Sequence, residues 1–125
     1  MAAQIDMADV WPTPALFRAA RGLLGIGQDE LAEQAGCARK TVVLIESHVG
    51  ATMDARRVAM VRDLAAFLEK RGIEFVRPPS GQKGTGVRFA DGNREAKVTA
   101  ELRDKIDRRR SARQRKIKRK TTSKR

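Results

Sequence analysis

The nineteen residues Gln28-Asp-Glu-Leu-Ala-Glu-Gln-Ala-Gly36-Cys-Ala-Arg-Lys-Thr-Val-Val-Leu-Ile-Glu46 form two short amphipathic segments around a glycine-centred break. The first predicts a helix over 28–35, with Leu31, Ala32 and Ala35 turned inward. Gly36 ends it after two turns, because glycine alone takes a positive φ at no steric cost. The second predicts a helix over roughly 39–47, with Val42 and Ile45 inward. Leu31, Val42 and Ile45 then fill the angle between the two helices. Ala32 is small where the later helix crosses close above it.

Working outward, Thr13 followed by Pro14 reads as a helix start, a hydroxyl cap and then a residue that needs no amide donor. Leu16, Ala20, Leu23 and Leu24 give 14–24 one apolar face, and Gly25 and Gly27 interrupt it. Downstream, 48–51 reads as a loop and Thr52 as the cap of a longer helix to Arg71. Val58, Val61, Leu64 and Leu68 line its inner face, and Gly72 supplies a left-handed end. Ile73–Val76 and 87–89 are strand candidates around a Pro/Gly-rich connector, a hairpin whose register the sequence leaves open.

Two short helices joined by about three residues centred on a glycine are the pattern of a helix-turn-helix. The 28–46 run resembles the phage-repressor/Cro-like (XRE-type) family of bacterial regulators and matches its pattern without insertion. Thr13-Pro14…Arg18-Ala-Ala-Arg21-Gly-Leu-Leu-Gly25 looks like the first helix of a bacterial subgroup, and Gly72-Ile-Glu-Phe…Gly86-Val-Arg-Phe89 looks like its ending. The resemblance covers about 13–89. It implies a mostly α, lambda-repressor-like domain of four to five helices with a short C-terminal β-hairpin, whose third helix lies in the DNA major groove.

Carried over by position, the resemblance implies base contact for Arg39 and Lys40 and contact with base or phosphate for Thr41, with Arg39 suited to paired hydrogen bonds on guanine. Gln28 and Ala38, at the starts of the second and third helices, are implied to meet phosphate. Val43 and Leu44 fall on the outward face, where polar readers are common in the family. They either touch thymine methyls or pack against protein. Gly27 and Ala38 stand where the family usually has Ser or Thr, so both helices lose a capping hydroxyl. Repressor-like domains act as dimers on pseudo-palindromic sites, which implies a homodimer, with the hairpin edge one candidate surface.

The 125 residues fit one compact domain with an appendage. Their charge is uneven. Residues 1–90 hold 12 basic and 10 acidic side chains, whereas 91–125 hold 15 and 5, so the net charge of +12 divides as +2 and +10. Three regions follow: an N-terminal arm at 1–12, a body at 13–90 and a basic tail at 91–125, divided at the turn-prone Asp91, Gly92 and Asn93. In the tail, Val98, Leu102 and Ile106 recur every four residues, a weak helix signal. Beyond it, 108–120 offers only Ala112 and Ile117 for burial, so it is expected to be disordered when free. Its Arg108, Arg109, Arg110, Arg113, Arg115, Lys116, Lys118, Arg119 and Lys120 are candidate phosphate contacts. The other readings of the tail are a solvated extension, attraction to an anionic membrane surface, or a protein partner.

Aromatic residues make up 4% and tyrosine is absent, which disfavours recognition by base stacking. Cys37 and His48 are the only cysteine and histidine. No zinc site, Cys/His catalytic pair or cofactor is therefore expected, and the chain is not expected to be an enzyme. Cys37 reads as a small buried hydrophobe, His48 as a surface or capping residue, and Glu46 as a hydrogen-bonding group at a helix end. Trp11 reads as a staple for the arm. Segment 1–10 carries Asp6 and Asp9 and lacks the features of a signal peptide. No run reaches the roughly 18 apolar residues of a membrane span. The expected partner is double-stranded DNA, in the cytoplasm and associated with the nucleoid. The alternatives are an interaction module that binds another protein through Val43 and Leu44, and a tail-led, non-specific nucleic-acid binder.

Overall fold

The computed structural model describes residues 3–78 and 84–122, with no side-chain account of Thr122. The chain divides into two units, Met1–Ala90 and Asp91–Arg125. Among the described residues the first is mostly helical, with two small antiparallel two-stranded sheets.

Helices α1 (Pro14–Leu24), α2 (Gln28–Ala35), α3 (Arg39–Glu46) and α4 (Ala55–Lys70) carry the core. Leu31, Val42, Ile45, Val61 and Leu68 are fully buried on the faces their spacing anticipates, and Phe17, which that spacing did not single out, is fully buried with them, whereas Leu23 is only half-buried. α1 ends on Gly25 at φ 65° and α2 on Gly36 at φ 75°. Both helices close through the left-handed backbone that glycine adopts without strain. Gly72, at φ 93°, turns the chain after α4.

Two expectations about helix starts are corrected. Thr13 does hold the position before α1, with Pro14 first in the helix, but its hydroxyl makes no cap bond among the described residues. The cap of α4 is not Thr52 but Asp54, whose carboxylate accepts from the Arg56 amide at 2.8 Å. Thr52 instead lies in strand β2 (Thr52–Asp54), which pairs with β1 (Gln4–Asp6). A carboxylate two residues before a helix amide caps better than a hydroxyl further back, and it leaves Thr52 free for the ladder.

The arm is thus part of the fold. β1 and β2 join residues far apart in sequence, in register Gln4↔Asp54, Ile5↔Met53 and Asp6↔Thr52. The pairing seats Met53 in the core at 1% exposure. A 3-10 turn at Met7–Asp9 follows. Trp11 is half-buried, with the Arg77 guanidinium 5.1 Å from its ring centre, which suits its reading as a staple.

Strands β3 (Ile73–Val76) and β4 (Gly86–Phe89) form the expected hairpin, and its register is Ile73↔Phe89, Glu74↔Arg88, Phe75↔Val87 and Val76↔Gly86. Ile73 enters the core, and Phe75 meets Phe17 with ring centres 5.8 Å apart. Part of the connector between the strands lies outside the described residues.

The tail departs most from expectation. Helix α5 runs without interruption from Gly92 to Thr122. Disorder was expected because 108–120 has almost nothing to bury, but a helix satisfies its backbone locally and needs no core for that. Asp91 accepts from the Arg94 amide at 2.8 Å, and Asp104 pairs with Arg108 one turn on at 2.9 Å. Between Asn93 and Thr122 there is no glycine or proline, and Lys, Arg, Gln, Glu and Ala dominate.

Candidate nucleic-acid interface

The bend between α2 and α3 is three residues long: Gly36, Cys37 and Ala38. Gly36 reverses the chain, and the Cys37 amide donates back to the Ala32 carbonyl at 3.0 Å. α3 is then fixed from below by Val42 and Ile45, both fully buried, and by Glu46, which is 3% exposed.

Glu46 is the one buried charged residue in the core among the described residues, and it is fully engaged. Arg21 of α1 donates to it twice, Nε to Oε2 and Nη2 to Oε1, both at 2.7 Å. A third donor of the same guanidinium, Nη1, reaches the Ile26 carbonyl at 3.2 Å. Gln28 Nε2, at the start of α2, donates to Glu46 Oε1 at 3.4 Å. One carboxylate therefore ties α1, the loop after it, α2 and α3 together. Hydrogen bonding to Glu46, reinforced by its charge, outweighs desolvation and raises the pKa of Arg21 above that of an ordinary guanidinium. Sequence reading gave Glu46 only a helix-end role. The signal available was that Arg21 and Glu46 are charges on otherwise apolar helix faces, beside Ala20 and Leu24 and beside Val42 and Ile45.

The opposite end of α3 is open. Ala38, Arg39 and Lys40 are exposed, and the first turn of α3 contains no acid. Neither Gly27 nor Ala38 offers a side-chain cap, as their identities imply. Amides at the start of α3 therefore face outward beside two cations, an arrangement that attracts anions. Arg39 Nε meets Asp29 Oδ1 of α2 at 2.9 Å, and both side chains are largely in solvent, 64% and 78% exposed. The pair spans the gap between the two helices and orients the guanidinium, but water competes with it.

The sequence-selected residues do not all share one face. Arg39 and Lys40 stand together at the exposed start of α3, with Ala38 beside them. Val43 and Leu44 are half-buried further along the helix. Thr41 is set apart. It is half-buried and lines an open cavity of about 210 Å³ with Cys37, Ile45, Met60, Asp63 and Leu64. Gln28 is half-buried, with its side chain turned to Glu46, which leaves its backbone end at the start of α2 for any phosphate. Cys37 is half-buried, and burial pushes its thiol pKa up, as suits a packing residue. His48 is half-buried, and its Nε2 has no hydrogen-bond partner among the described residues.

In the second unit, Arg108, Arg109, Arg110, Arg113, Arg115, Lys116, Lys118, Arg119 and Lys120 are all exposed along α5. Among the described residues no group of His, Cys, Asp and Glu is placed to hold a metal ion, and no helix is long and apolar enough to cross a membrane.

Compared with known proteins, the chain matches no family model, and no curated protein matches it.

Proposed function

We propose that the chain is a sequence-selective DNA-binding regulator of transcription, in which α2 and α3 act as a helix-turn-helix. α3 presents Arg39 and Lys40 to base edges in the major groove, and the basic half of α5 adds phosphate contacts that carry no sequence information. One observation carries this reading. The start of α3 is exposed, cationic and uncapped, while the other side of that helix is locked into the core by Val42, Ile45 and Glu46. A rigid helix with an open cationic end suits a groove floor, where one paired Arg–guanine contact supplies about 1–3 kcal/mol of discrimination. The starts of α2 and α3, at Gln28 and Ala38, meet phosphates on either side. The chain acts as a homodimer on a pseudo-palindromic site.

A second reading has its own support in Val43 and Leu44. They are apolar and partly exposed next to the cationic end, as in a module that docks on another protein and holds DNA only through α5. Selection of bound duplexes from a random library, run with the full chain and with 1–107, separates the two. A palindromic motif recovered by both proteins supports the regulator. No motif from either, with duplex binding lost on truncation, supports the interaction module.

A further inference from the structure

α5 spans 31 residues, about 46 Å at a helical rise of 1.5 Å per residue. Its segment 108–120 holds nine Lys and Arg side chains and no acid, and each of its residues is exposed. At about 100° per residue, Arg108 and Arg115 project to one side, Arg110 and Arg113 to the other, and Arg109 and Lys116 between them. Cationic side chains thus surround more than half of the cylinder. Ala112 and Ile117 are the segment's apolar residues and do not make a stripe.

The shape of this charge selects among polyanions. A membrane surface is flat, meets a helix on one face and needs an apolar strip there, which 108–120 lacks. A groove with phosphates on both walls meets cations on opposite sides of a helix at once. The major groove of B-form DNA, about 12 Å wide, admits an α-helix, whereas that of A-form RNA is deep and narrow. We infer that 108–120 enters the major groove of a DNA duplex as a formed helix, with Arg108 and Arg115 on the phosphates of one strand and Arg110 and Arg113 on those of the other. α5 is then a second groove-seated element, not a flexible polycation. The inference rests on the reading of the chain as a duplex-binding protein, but not on base reading by α3.

The test uses the full chain carrying Arg39→Ala and Lys40→Ala, so that α3 contributes least. Its affinity is measured by fluorescence anisotropy for a short duplex of arbitrary sequence. The measurement is repeated on the same duplex with every cytosine replaced by glucosylated 5-hydroxymethylcytosine, which fills the major groove and leaves the phosphates unchanged. Binding weakens by roughly tenfold or more on the filled duplex if the helix sits in the groove. Ser111→Pro in the same background keeps every charge and breaks the helix, and it also lowers affinity roughly tenfold, whereas Ser111→Ala has no effect. Circular dichroism reports the helix. Equal affinity for open and filled duplexes overturns the inference, as does unchanged binding by Ser111→Pro with helix lost. Tighter binding to an RNA hairpin or an anionic vesicle than to the open duplex overturns it as well. Failure of base reading by α3 registers separately, as an unaltered base preference on introducing Arg39→Ala and Lys40→Ala.

Discussion

Arg21 and Glu46 lie 25 residues apart in sequence and meet in a two-point ion pair, both contacts 2.7 Å, with the carboxylate 2% exposed. The pair is where the apolar packing of α1 and α3 becomes a fixed angle. Glu46 also accepts from Gln28, and Arg21 also donates to the Ile26 carbonyl, so the buried charges are matched by hydrogen bonds on several sides.

Removing one partner leaves the other charge uncompensated. Glu46→Ala is expected to destabilise the fold by about 3 kcal/mol, the lower end for a broken buried pair, because Arg21 retains some contact with water. Arg21→Met with Glu46→Leu should recover most of that loss, since an apolar pair of similar volume avoids the desolvation cost. Urea denaturation of the two variants checks both values. A double variant as unstable as the single one contradicts this account of the pair.

Gly36 tests the bend separately from the core. A Cβ there would meet open space, so any cost comes from the backbone, held at φ 75°. Gly36→Ala is expected to lose about 1–2 kcal/mol and Gly36→Asn less, because Asn tolerates the left-handed region. Thermal melts of the two proteins rank them. Equal or higher stability for the alanine protein places the bend elsewhere.

The hairpin has a pH dependence of known sign. Arg88 donates to Glu74 at 2.9 and 3.2 Å, and this hydrogen bonding, aided by its charge, holds the Glu74 carboxyl below the usual carboxylate range. A depressed folded pKa contributes stability above the unfolded pKa, and that contribution is lost as pH falls through the folded value. Both side chains are exposed, so the effect on global stability is slight. Arg88→Ala should return the Glu74 titration, followed by NMR, upward to the ordinary range. An unmoved titration excludes the cross-strand pair as its cause.

Several of these features were legible in the sequence, and the pattern of failure is physical. α1 to α4 were readable because each buries a stripe at helical spacing and three of them end at or next to a glycine with positive φ, all local properties. The β1–β2 pair was not. Its strands are three residues each, with one apolar residue apiece, too short for an alternation to stand out, and they are matched only through contacts distant in sequence. The first half of α5 carried a weak helix signal, but its second half, 108–120, was misread because a lack of burial was equated with a lack of order, although backbone hydrogen bonding acts within a few residues. At the candidate site, the exposed cations of α3 followed from its inner face, set by Val42 and Ile45 three residues apart. Asp29 as the partner of Arg39 did not, since it depends on the angle between two helices.

Salt dependence separates the two units. If about five cations of 108–125 meet phosphates, removing the segment lowers the slope of log K against log salt by roughly four to five units. Titrations of one duplex at several salt concentrations, with the full chain and with 1–107, measure it. An unchanged slope contradicts a phosphate role for the tail.

Base reading is proposed for the open end of α3. The most direct measurement is the ratio of affinities for a selected duplex and a scrambled one, compared between the unaltered chain and Arg39→Ala. Arg39 is exposed and paired only with an exposed Asp29 among the contacts described, so its removal should leave the thermal midpoint nearly unchanged. The ratio should fall by about tenfold or more, and preference should relax at one base position. A ratio and preference identical to those of the unaltered chain would contradict that proposal.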